Sequence, residues 1–123
     1  HIRLLKEVKA FNLVGFYDED ANVRKVVAAE FNIKPYDSMN ELIDDVDAVD
    51  IVTPTIAHYK CAVSAIKKSK HVFIEKPVTT TLEEAKALKE LSKEANVLVQ
   101  VGHVERFNPA FIAGKDYCTN PMF

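Results

Sequence analysis

The chain has 123 residues, 48% of them hydrophobic and 28% charged, with a formal net charge of -2, the balance of an ordinary globular unit with enough chain to bury a core. Lys and Glu are interspersed and leave no basic face, which argues against nucleic acid as a partner. No segment reads as a signal peptide or a long apolar span, so neither secretion nor a membrane is expected.

Ile2, Leu4, Leu5 and Val8 suit a helix under way from the first residue, because no capping residue precedes it. Phe11 to Tyr17 (FNLVGFY) is rich in aromatic and branched residues and predicts a strand ending at Asp18. Val23, Val26, Val27 and Phe31 then recur at helical spacing. A short strand near Lys34 to Tyr36 follows, and Ser38-x-x-Glu41 predicts a capping box opening a helix with Met39, Leu42 and Ile43. Ala48 to Val52 is the next strand, with Asp50 the one charge in a buried-looking run.

Thr53-Pro54-Thr55 punctuates that strand, and Ile56 to Lys67 predicts a helix with Ala62, Val63 and Ile66 inward. Cys61 in its middle is most simply a small buried hydrophobe. With only Cys118 besides, there is no disulfide framework or C-x-x-C metal site, no metal is expected, and a reducing cytoplasm fits. His71 to Ile74 is a further strand, Thr81-x-x-Glu84 a second capping box, and Leu82, Ala85, Leu88, Leu91 and Ala95 an amphipathic stripe. Val97 to Val101 is a final strand ending at Gly102-His103, and Phe107-Asn108-Pro109-Ala110 begins another helix with proline in its first turn. Strands alternating with helices imply parallel crossovers and an α/β, doubly wound sheet of Rossmann type.

Glu75-Lys76-Pro77 marks where one strand stops at a rim. In an open α/β sheet the ligand crevice lies outside the carboxyl ends of the strands, where a lysine can reach cofactor and substrate together. A plain strand-to-helix loop with a solvated ion pair is the alternative. Asp18, after the second strand of such a fold, suits hydrogen bonding to the adenosine ribose hydroxyls and repels a 2′-phosphate; an ordinary helix cap is the alternative, for Asp20 as well. Only Gly15, Gly102 and Gly114 occur, and none forms G-x-G-x-x-G. The first strand and its glycine turn are therefore expected just before His1. The sheet is expected to be incomplete at its N-terminus, the chain being a fragment or its sheet closing by another pairing.

Phe16-Tyr17-Asp18, Asp50-Ile51-Val52-Thr53-Pro54-Thr55 with His58, Glu75-Lys76-Pro77, and Val101-Gly102-His103 leading to Arg106-Phe107-Asn108-Pro109 resemble, in order and spacing, the glucose-fructose oxidoreductase, inositol dehydrogenase and rhizopine catabolism (Gfo/Idh/MocA) family over almost the whole chain. The resemblance implies an N-terminal Rossmann domain binding NAD, or NADP, in an enzyme that oxidises or reduces a sugar, cyclitol or related hydroxyl carbon. GHVERFNPA is similar to members acting on nucleotide-activated amino sugars.

On that resemblance Asp18 binds the adenosine ribose and favours NAD. Thr53, Pro54 and His58 line the cofactor crevice, with a backbone-satisfied helix residue the alternative for His58. Glu75 and Lys76 sit near the nicotinamide ribose, and Lys76 polarises or anchors the reacting hydroxyl. Gly102 and His103 let the last strand approach the nicotinamide, and Arg106 and Asn108 contact cofactor or substrate, with a surface ion pair the alternative for Arg106. Residues 1–115 are then the dinucleotide-binding domain and 116–123 the start of a connection to an absent substrate domain that supplies the general base. The full-length parent is expected to be a homo-oligomeric dehydrogenase, and the fragment inactive alone. A non-catalytic nucleotide-binding or partner-docking Rossmann module is the alternative.

Overall fold

The computed structural model describes residues 1–119, with side chains through Lys115. The expected start of a connection at 116–123 therefore falls largely outside the described residues, as does the side chain of Cys118. Among the described residues the order is α1 (Ile2–Glu7), α2 (Ala21–Phe31), α3 (Met39–Asp44), β1 (Ala48–Ile51), α4 (Thr55–Lys67), β2 (His71–Ile74), α5 (Leu82–Glu94), β3 (Val99–Val101), a 3₁₀ turn (Val104–Phe107) and α6 (Pro109–Thr119).

The strands form one parallel sheet in the order β1-β2-β3. Its register sets Val49 beside Val72 and Val99, and Ile51 beside Ile74 and Val101. Side chains alternate between faces along a strand, so these rows share one face, where Ile51, Val72 and Ile74 meet Ala62, Ala65 and Ile66 of α4 and Leu88 of α5 in the buried core. Asp50, Phe73 and Gln100 pair in the same register and so occupy the opposite face. The crossover helices α4 and α5 cover the apolar face, as right-handed parallel connections require.

Two capping devices set the helix starts. Thr81 Oγ1 accepts from the Glu84 amide while Glu84 accepts back from the Thr81 amide, a complete capping box at α5. Ser38 accepts from the Glu41 amide at α3. Of the inward face expected on α4, Ala62 and Ile66 are fully buried and Val63 only half so. Leu82, expected in the α5 stripe, is exposed at the first position of the helix, whereas Leu88 is buried.

The expected strand over Phe11 to Tyr17 needs correction. It contracts to one parallel bridge, Phe16 with Pro35, made by the Phe16 amide to Lys34 O and the Tyr36 amide to Phe16 O. Regular strand needs a repeating ladder on at least one side, and Pro35 has no amide to extend this one. The approach is close: a Cβ on Gly15 would lie 2.5 Å from Tyr36 Cε2 and 2.6 Å from Lys34 O. The last strand is likewise shorter than expected, beginning at Val99.

Candidate functional site at the carboxyl rim of the sheet

Because Ile51, Ile74 and Val101 are in register, the residues that follow them emerge side by side. The ladder runs on one step, with the Glu75 amide donating to Ile51 O and the Gly102 amide to Ile74 O. Thr53, Glu75, Lys76, Gly102 and His103 thus share one rim, as the sequence predicts. Gly102 eases a close approach, since a Cβ there would lie 3.0 Å from Phe73 Cζ and 3.3 Å from Glu75 Oε1.

Lys76 is exposed and follows β2 directly, with a cis peptide bond to Pro77. Together with His103, Arg106, Val104, Glu105 and Phe111 it lines an open cleft of about 250 Å³. No carboxylate among the described residues holds its ammonium. Thr53 and Pro54 are exposed at the neighbouring strand end, flanked by the exposed apolar side chains of Val52 and Ile56. Apolar surface beside a lysine and small polar groups fits a ligand that has an aromatic heterocycle and hydroxyls.

Two expected contacts are committed to the protein itself. His58 is 1% exposed; its Nδ1 lies 2.9 Å from Pro77 O and its Nε2 2.8 Å from Thr53 O. The ring therefore lies beneath the rim with no nitrogen left for a ligand, and joins the loop after β1 to the loop after β2. Asn108 accepts from the Ala110 amide at the start of α6 and donates to Glu105. Asp18 and Asp20 differ in what they hold. Asp20 caps α2 through the Asn22 and Val23 amides, while Asp18 accepts only from the Asp20 amide through Oδ1. Asp18 stands on the bridged segment, apart from the Lys76 cleft.

Residues without an expected role also reach the rim. His1 Nδ1 lies 2.8 Å from Asp50 Oδ2 and His1 Nε2 3.1 Å from Glu75 Oε1. Burial pushes the Asp50 carboxyl up to about 6, and Glu75 adds to it. The 2.8 Å contact is a hydrogen bond whichever of the two groups holds the proton. A charge inside an apolar strand was the legible signal, since a half-buried carboxyl needs a partner. Away from the rim, Tyr36 donates to Asp45 at 2.7 Å and Lys34 Nζ sits 4.0 Å from the Tyr36 ring centroid. His71 Nδ1 accepts from the Leu98 amide, tying the start of β2 to the turn before β3. Among the described residues no group of three or more His, Cys, Asp or Glu could hold a metal, and no helix is long and apolar enough to cross a membrane.

Comparison with known proteins accords with this geometry. Residues 1–103 match the family described as an oxidoreductase family with an NAD-binding Rossmann fold. The chain is similar to UDP-N-acetylglucosamine 3-dehydrogenase of Acidithiobacillus ferrooxidans, 41% identical over 80% of this chain and 31% of the relative. It is also similar to the NAD-dependent scyllo-inositol 2-dehydrogenase of Bacillus subtilis, 38% identical over 91% of this chain and 34% of the relative. Among solved structures, an NAD-binding protein from Listeria innocua superposes with a TM-score of 0.89 at 33% identity, covering 97% of this chain and 36% of that one. The chain spans about a third of the length of these curated relatives.

Proposed function

The chain belongs to the Gfo/Idh/MocA oxidoreductase family and has its NAD-binding Rossmann fold, and on that premise we propose that it is the cofactor-binding portion of a longer dehydrogenase acting on a hydroxyl carbon of a sugar, cyclitol or nucleotide sugar. The observation that carries this reading is the exposed Lys76 ammonium at the carboxyl rim, in one cleft with His103 and Arg106. The relatives named above act on a nucleotide sugar and a cyclitol by their names, and both substrates offer a secondary hydroxyl.

Asp18 takes the adenosine ribose, and Thr53, Pro54, Glu75, Gly102 and His103 border the nicotinamide end, with His58 and Asn108 holding the loops that carry them. When bound there, the nicotinamide supplies the hydride acceptor. Lys76 donates a hydrogen bond to the reacting oxygen, and its charge stabilises the alkoxide character that develops as the carbon loses hydride. Arg106, which lines the same cleft, meets an anionic or hydroxyl-rich substrate on this reading. On this reading residues 1–115 form the cofactor unit and 116–123 begin the connection to a substrate domain. The proton leaves the hydroxyl to a base in that second domain, so the 123-residue chain alone has no turnover.

The preference for NAD over NADP follows from Asp18. Arg24 of α2 donates to the backbone carbonyls of Asp18 and Glu19 and lies 4.0 Å from Asp37, so it is engaged away from a 2′-phosphate. A carboxylate beside that phosphate is unfavourable and loses its hydroxyl partners. In the full-length protein, titration is expected to give a Kd for NAD on the order of tenfold or more below that for NADP, with Asp18→Ala narrowing the gap. Equal or tighter NADP binding by the unmutated protein removes Asp18 from the ribose. Tight NAD binding without turnover on any hydroxyl substrate favours a non-catalytic module instead.

A further inference from the structure

Glu75 and Asp50 lie on the sheet face opposite the core, the face that Phe73 also occupies. The first residue of the described chain, His1, reaches over this face. Its ring stands edge-on to Phe73 at 6.3 Å between centroids, and its two nitrogens point one to each carboxylate, at 2.8 and 3.1 Å. The second oxygen of Glu75 accepts from the Lys76 amide at 3.0 Å. A continuous path of polar contacts therefore runs from Asp50 through a hydrogen bond to His1, across an ion-pair contact to Glu75, and on to the backbone amide of Lys76. Gly102, on the β3 side, leaves the carboxylate its space: a Cβ there would lie 3.3 Å from Glu75 Oε1.

We propose that His1 is a positioning residue for Lys76: by bridging Asp50 and Glu75 it locks the Glu75 carboxylate against the Lys76 amide and so fixes where the ammonium enters the cleft. A ring protonated on both nitrogens donates to Asp50 and pairs by charge with Glu75; with the proton on Asp50, the ring accepts at Nδ1 and its Nε2–H still faces the Glu75 carboxylate. The bridge is complete in both cases, so a shared proton does not break it. Without His1, Glu75 has water as the partner for Oε1 and can turn out to solvent, releasing the Lys76 amide. Small misplacements of a reacting group are costly in rate, whereas the fold loses only rim contacts.

The inference rests on the role assigned to Lys76 under the proposed function, and a double-mutant cycle separates the two. In the full-length protein, kcat is measured for the unmutated enzyme, His1→Ala, Lys76→Ala and the double variant, together with His1→Gln, which keeps a donor toward Glu75. His1→Ala is expected to lower kcat roughly ten- to a hundredfold, to cost little further in the Lys76→Ala background, and to be largely rescued by His1→Gln. A histidine that serves only the fold would cost the same in both backgrounds and would not be rescued in rate. Equal losses in both backgrounds, or an unchanged kcat in His1→Ala, overturn the positioning role while leaving Lys76 in place. Normal turnover in Lys76→Ala overturns both.

Discussion

Lys76→Ala in the full-length protein is expected to lower kcat/KM by about a hundredfold or more, the loss seen when one positioned electrostatic donor is removed from a developing negative charge. The fold survives, because Lys76 is exposed and absent from the core. Affinity for NAD in the binary complex changes little, since the ammonium acts on the reacting oxygen and not on the pyrophosphate or adenosine. Steady-state kinetics paired with a direct NAD titration checks both halves. A variant with normal turnover would return Lys76 to the status of a solvated loop charge.

The second large effect falls on stability. His58→Ala is expected to destabilise the protein by about 2–4 kcal/mol, because it deletes a buried ring and leaves the carbonyls of Thr53 and Pro77 without the imidazole that lies between them. The consequence should extend to function, because those carbonyls belong to the two loops that present Pro54 and Lys76. Denaturant unfolding of the full-length protein measures the first effect, and the NAD dissociation constant the second. A stability change below about 0.5 kcal/mol, the range of an inconsequential surface substitution, would show that His58 does not join the loops.

The parts of this fold that rest on local chemistry were legible in the sequence. Thr81 and Glu84 form the capping box their spacing predicts, Pro109 begins α6, and the apolar rows of β1 and β2 face the core. The rim was legible because an abrupt change from Val-Phe-Ile to Glu-Lys-Pro marks a strand end whatever the topology. Phe11 to Tyr17 was misread because strand propensity reports fitness for a pleated, half-buried surface, and that run meets a partner at Phe16 alone. The placement of His58 below the rim was open in the sequence, where a histidine early in a helix serves equally as ligand or as brace. The histidine at the chain's first position had no visible partner, since Asp50 and Glu75 lie 49 and 74 residues away and are brought to it by the alternation of faces across two parallel strands.

The central claim, that this rim serves hydride transfer to NAD from a hydroxyl carbon, is tested most directly by following NADH absorbance with the full-length protein across nucleotide sugars, cyclitols and simple sugars. The account predicts substrate-dependent NADH formation with at least one of these classes, faster with NAD than with NADP, and strongly slowed by Lys76→Ala. An intact, folded full-length protein that binds no NAD, or that binds it and reduces none with any of these substrates, would contradict it.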